Sequence, residues 1–248
     1  MAERERFKNR IQAGKLLARG LAIDGPQPRL EPSPRLEPGP GPIVLALPRG
    51  GVPVGFAVAM MLGLELDVLL VRKLGLPGQP EFAIGAVGSG GVRVLQPGQP
   101  DVPGLMAVTR EQVEALAARE LDEIARRTRL YRGGRPDPVL AQRTVIIVDD
   151  GIATGSTMAA AVRMARQRQA ARVVVAVPVA PPDTLGELGP EVDALFCLKA
   201  PRRFRAVSQW YDTFEQTSDE EVQDLLALAW NRQAGRPLHK QPIEKDRT

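Results

Sequence analysis

The residues that read most plainly as chemistry lie in TVIIVDDGIATGST, Thr144 to Thr157. Val145 to Val148 are β-favouring and run straight into Asp149 and Asp150, then into a turn with two glycines and three hydroxyls. Adjacent carboxylates repel and each resists burial, so a strand ending on both has something to hold there. Gly151 and Gly155 let the backbone curl until successive N–H groups point inward. The amino end of a following helix and the hydroxyls of Thr154, Ser156 and Thr157 add further donors, which together make a phosphate cradle. It is not a P-loop, because no lysine follows Gly155, and it lacks the dinucleotide glycine spacing. A phosphate seat beside two carboxylates suits a sugar phosphate, with amides on the phosphate and acids accepting from vicinal hydroxyls.

Two other stretches place cations and bare backbone at strand ends. Ile43 to Leu47 is a short apolar strand closing on Pro48-Arg49-Gly50-Gly51, and LDVLLVRKLG reads as a second buried strand ending in Arg72 and Lys73. Arg49 suits an anion through its fork of donors, and Gly50 and Gly51 expose N–H groups. Each is weak alone: PRGG is also an ordinary turn, and Lys73 a surface ion-pair residue. Their position at strand ends carries the weight, since ligands of parallel α/β sheets collect there.

The elements that must position them follow from periodicity. FKNRIQAGKLLARGL, Phe7 to Leu21, spaces apolar residues as an amphipathic helix. The stretch 25–42 repeats PRLEP, and its prolines make it an extended linker rather than a helix. VPVGFAVAMMLGL is a buried helix, and Phe82–Val87 with Val92–Leu95 around GSGG form a hairpin. Thr109 with Gln112 looks like a capping box for a helix reaching about Tyr131, and GGRPDP breaks it. Strand Val145–Val148 is followed by a helix from about Thr157 to Gln169, then strands Val173–Val177 and Ala194–Leu198. Ser218 with Glu221 caps a last helix through Trp230.

Strands apolar on both faces and alternating with helices signal an α/β fold, a central mostly parallel sheet with helices on both faces. One domain over 1–248 is expected: an N-terminal helix in 1–24, the proline-rich loop 25–42, an α/β core 43–200, a C-terminal segment with helix in 201–232, and a polar tail 233–248. The chain carries 44% apolar residues, a net charge of +4 and one cysteine, Cys197, so no internal disulfide or thiolate metal cluster is available. The charged start has no apolar stretch behind it, and no apolar run is long enough to span a bilayer. A cytoplasmic protein without membrane attachment is the expectation. Dispersed arginines, few aromatics and no finger or RNA-binding motif argue against nucleic acid as a partner.

VIIVDDGIATGST resembles the PRPP-binding signature of the type I phosphoribosyltransferases, where PRPP is phosphoribosyl pyrophosphate. The resemblance extends over nearly the whole chain to a bacterial branch of that superfamily, through FKNRIQAGKLLARGL, LALPRGGVPVG, VRKLGLPGQPEFAIGAV, YRGGRP and AVSQWYDTFEQTSDEEV. It implies that Asp149 and Asp150 hold the ribose hydroxyls and that Gly151, Ile152, Ala153, Thr154, Gly155, Ser156 and Thr157 hold the 5′-phosphate. LPRGG takes the place of the pyrophosphate loop, with Arg49, Gly50, Gly51 and a cis Pro48–Arg49 peptide. Lys73, rather than Arg72, takes the place of a cation near the pyrophosphate. Arg49, Lys73, Asp149 and Asp150 are thus the residues named for catalysis. The resemblance also implies a small hood built from the N- and C-terminal segments and a flexible insertion of hairpin and helix, within which Glu81, Arg132 and Arg135 are either candidates or ordinary solvated loop charges.

The implied reaction is attack by a nitrogen nucleophile on C1′ of PRPP with release of pyrophosphate. Mg²⁺ is the implied cofactor, carried by PRPP near Asp149 and Asp150, with no direct protein ligand assigned. Ala153 replaces the aspartate that 6-oxopurine enzymes place before Thr-Gly, which weighs against hypoxanthine or guanine. Trp210, Tyr211 and Phe214 are hood aromatics that either stack on a flat acceptor or pack the C-terminal segment onto the core. Two departures from that branch stand out: the proline-rich insert and Ser208, where glycine is usual. A homodimer is expected from the superfamily. The alternatives are a regulator that binds PRPP or a nucleotide without turnover and, more weakly, a kinase that makes PRPP.

Overall fold

The computed structural model describes residues 6–23, 41–76, 79–89, 92–95 and 110–234. Five parallel strands form the main sheet: β1 (Ile43–Ala46), β2 (Glu65–Val68), β6 (Thr144–Val148), β7 (Arg172–Val179) and β8 (Ala194–Lys199), in the order β2-β1-β6-β7-β8. The alternation of side chains along each strand divides the core in two. Val44, Ala46, Ile146, Val148, Val174 and Ala176 face helices α1 (Arg10–Ile23), α2 (Gly51–Leu62) and α6 (Asp219–Gln233). Ile43, Leu45, Val145, Ile147, Val173 and Val175 face α4 (Ser156–Gln167) and α5 (Pro182–Leu188). Continuous apolar strands are what a sheet covered on both faces requires.

A second sheet, β3 (Val71–Leu76), β4 (Gln79–Gly88) and β5 (Val92–Leu95), is antiparallel. LDVLLVRKLG is therefore two strands in two sheets rather than one. Leu69 N still bonds Ala46 O of the main sheet, whereas Leu70 O accepts from Ser89 N. Both leucines are buried, so the apolar run passes from one sheet to the other without a break that periodicity could register. Arg72 and Lys73 consequently leave the parallel strand ends and lie within β3, Lys73 opposite Ala86.

The first helix begins at Arg10, not Phe7. Phe7 instead pairs with the C-terminal segment: its N–H donates to Trp210 O at 2.8 Å and its carbonyl accepts from Asp212 N at 2.8 Å. Residues 7–8 and 210–213 thus close on each other. Helix α3 (Arg110–Arg132) ends at Gly133 and Gly134, both at positive φ, and Ser218 Oγ caps α6 by accepting from Glu221 N. The Thr109 cap, most of the proline-rich stretch, the Glu81 side chain and the tail beyond Ala234 lie outside the described residues. Among those described, no helix is long and apolar enough to cross a membrane.

Arg132, a candidate for the catalytic insertion, does a different job. It is fully buried and donates to Asp67 Oδ1 at 2.9 Å and Val68 O at 2.8 Å, with Asp137 on its other side, tying α3 to β2. Burial raises the Asp67 pKa and Arg132 pulls it back. Arg135 lies over the Trp230 ring, 4.4 Å from its centroid.

Candidate active site

The strand order contains one reversal. From β1 the chain moves outward to β2, and from β6 it moves outward the other way to β7, while β1 and β6 are hydrogen-bonded neighbours. Such a switch point opens a crevice at the carboxyl ends of the two strands. Here those ends carry Pro48-Arg49-Gly50-Gly51 and Asp149 to Thr157.

The two loops touch. Leu47 N donates to Val148 O at 2.9 Å, and the Pro48–Arg49 peptide is cis, as the family resemblance implies. A Cβ on Gly50 would collide with the Asp150 carboxylate, and one on Gly51 would come within 2.9 Å of Val148 O and 3.0 Å of Asp149 Oδ1. Gly50 has ordinary helical dihedrals, so close approach rather than conformational freedom requires glycine here. Gly155 differs: its φ of +76° turns the chain into α4, where Thr184 crowds it. Thr184 Oγ1 donates to Ala153 O at 2.9 Å and Ile152 N to Val179 O at 2.9 Å, which pins the curl. Ala153, Thr154 and Thr157 stay exposed above it, and Thr154 Oγ1 lies 3.3 Å from Ser156 Oγ.

The acids are strained electrostatically. Burial, then the charge of Asp150, hold the Asp149 carboxyl well above the usual carboxylate range. Burial also raises Asp150, but Arg10 opposes it. Asp149 Oδ1 accepts from Asp150 N at 2.8 Å. Arg10 is a residue that sequence reasoning missed. It opens α1, its Nε donates to Asp150 Oδ2 at 2.8 Å, its NH1 donates to Glu215 O at 2.5 Å, and its guanidinium sits 3.8 Å from the Phe214 centroid. Nothing in the 3.6-residue pattern of that helix marks Arg10 apart from its other cations. Only the pairing of residues 7–8 with 210–213 brings it to the acid pair.

Arg49 reaches toward Asp219, at 3.9 Å, and is one-third exposed. Arg72, Leu47, Pro48 and Thr157 line one small recess, with Arg72 Nε on Glu120 at 2.6 Å. Lys73, next along the strand, lies on the opposite pleat. Of the two cations the sequence offered, Arg72 is therefore the one placed beside the Pro48 loop. Trp210 and Tyr211 are buried, and Tyr211 packs against Phe7 and Phe214. Its hydroxyl donates to Asp150 O at 2.6 Å. Packing, not an open stacking face, is what these two rings do here. Among the described residues no three His, Cys, Asp or Glu side chains come together as a metal cage.

A crevice at a switch point, with an acid pair and a glycine-hydroxyl curl, belongs to an α/β class whose candidate site lies at the carboxyl ends of its parallel strands. The family model for the phosphoribosyl transferase domain matches residues 37–201, and the chain belongs to that family. It is 47% identical over 187 residues to the "Putative phosphoribosyl transferase" of two Mycobacterium tuberculosis strains, CDC 1551 / Oshkosh and H37Rv. That match covers 75% of this chain but 42% of each relative, so the chain spans less than half their length. The crystal structure of TT1426 from Thermus thermophilus is 44% identical, with a TM-score of 0.75 over 89% of this chain and 97% of that one.

Proposed function

We propose that this chain is a phosphoribosyltransferase that uses PRPP with Mg²⁺ and transfers the 5-phosphoribosyl group to a nitrogen acceptor, releasing pyrophosphate. The observation that carries the reading is the contact between Gly50-Gly51 and Asp149-Asp150 at the β1/β6 reversal. In this reading the Pro48–Gly51 loop takes the diphosphate, the acid pair accepts from vicinal hydroxyls, and the Gly151–Thr157 curl takes the 5′-phosphate. The acid pair also suits a hard cation that brings its remaining ligands with the diphosphate. When bound, Mg²⁺ supplies neutralisation of the leaving pyrophosphate.

The chain's own residues do the rest. Asp149 and Asp150 orient the ribose, and Arg10 aims Asp150. Arg49 holds the leaving group; the Gly51 N–H, which the sequence offered for the same task, is instead taken by Leu47 O at 3.0 Å. The acceptor nitrogen then forms its bond to C1′ while the C1′–O bond breaks, and that electron pair leaves with pyrophosphate. Positioning and charge complementarity suffice, so no protein nucleophile is needed. Pyrophosphate release from PRPP and Mg²⁺ over a panel of nitrogen heterocycles tests this. Release that depends on an acceptor supports it; tight PRPP binding without release for any acceptor supports the regulator instead.

A further inference from the structure

Beyond β8 the chain reads Ala200-Pro201-Arg202-Arg203-Phe204-Arg205, and nothing described so far uses it. Arg202, Arg203, Phe204, Arg205 and Gln209 line a recess of about 510 Å³. The three arginines are exposed, and among the described residues none is ion-paired with a carboxylate. Three like charges converging on one concavity without a counter-charge favour an anion there. Phe204 is half-buried against the cluster of Phe7, Val179, Trp210 and Tyr211, which gives the recess a fixed apolar floor.

The recess is tied to the acid pair at both ends of the segment. Before it, Lys199 O accepts from Ala180 N, one residue beyond β7. After it, Val207 presses on Gly151 so closely that a Cβ there would lie 2.7 Å from Val207 Cγ1, and Tyr211 OH holds Asp150 O. The arginines therefore sit on the loop whose Val207 packs on Gly151. Both anionic ends of PRPP already have partners in the proposed function, the curl and the Arg49 loop, which leaves this third cationic surface to the other reactant.

We propose that the recess selects the acceptor, and that the acceptor carries an acidic group, a carboxylate or a phosphate, held by Arg202, Arg203 and Arg205 with its flat body over Phe204. This rests on the phosphoribosyltransferase reading, because the link to the acceptor is that Val207, on the same loop as the arginines, packs on Gly151.

The test is calorimetric titration of the whole chain, with Mg²⁺, using matched pairs: nicotinate with nicotinamide for a carboxylate, and phenyl phosphate with phenol for a phosphate. Nicotinate, phenyl phosphate or both bind at least about tenfold more tightly than the neutral partner, and the preference shrinks at high salt. The variant R202A/R203A/R205A alters exposed side chains only; it abolishes the preference while PRPP affinity stays within about twofold. The proposal is overturned if no acidic probe binds, if neutral partners bind as well, or if the preference survives in the variant. Salt-sensitive capture of single-stranded RNA with no discrimination within the pairs also overturns it. Failure of PRPP to bind the wild-type chain, read in a separate titration, is a different outcome and counts against the phosphoribosyltransferase reading.

Discussion

At the scale of the residue, the account turns on two carboxylates held where each is costly to ionise. For a buried acid whose folded pKa is raised, the stabilising contribution is full below its unfolded value and is lost as pH rises through the folded value. Asp149→Asn is therefore expected to melt higher than wild type at pH 8, by ~2–4 °C for each ~1 kcal/mol relieved, with the gain shrinking toward pH 4. Differential scanning calorimetry across that range measures it, and a lower melting point at pH 8 contradicts it. Arg10 opposes the raised pKa of Asp150. Arg10→Ala is accordingly expected to weaken PRPP binding, because Asp150 loses the cation that opposes its burial. The midpoint of the affinity–pH curve should also move upward, and an unmoved midpoint would leave Arg10 a merely structural role.

At the scale of the element, two glycines on α2 separate close approach from backbone conformation. Gly51→Ala pushes a methyl against Val148 O and Asp149. It is expected to cost ~1–3 kcal/mol and most of the PRPP affinity, since the loops can no longer meet. Gly63, the C-cap at φ +66°, has open space around it. Gly63→Ala is expected to cost about 1 kcal/mol and leave PRPP binding intact. Denaturant melts and ligand titrations on both variants decide the point. The Arg132–Asp67 pair makes a third contrast. Arg132→Leu alone should cost about 3–5 kcal/mol by stranding Asp67, while adding Asp67→Leu should recover part of it, because the buried carboxylate goes and only the partly exposed Asp137 is left without its partner.

Across the whole molecule, local pattern carried the fold wherever a single element decided it. Continuous apolar runs gave the parallel strands, the Ser218–Glu221 box gave the start of α6, and the acid pair with its glycines marked the end of β6 at the sheet's reversal. What the sequence hid was closure between distant segments. Phe7 looked helical because its spacing to Ile11 fits one, yet its backbone bonds 203 positions away (Phe7 to Trp210). Leu69 and Leu70 are equally apolar in two different sheets, so the break between β2 and β3 was invisible. Arg10 was lost among neighbouring cations, and Arg132 read as loop charge because its partner Asp67 lies on another element. Site chemistry was legible because neighbouring residues make it; site assembly was not, because packing makes it.

The most direct measurement is titration calorimetry of PRPP with Mg²⁺ into the wild-type chain and into D149N/D150N. Binding to wild type, with affinity reduced at least a hundredfold in the double variant while its far-ultraviolet circular dichroism is unchanged, is the predicted result. No heat from the wild type, or equal affinity in both proteins, contradicts the claim that the paired acids hold the pentose.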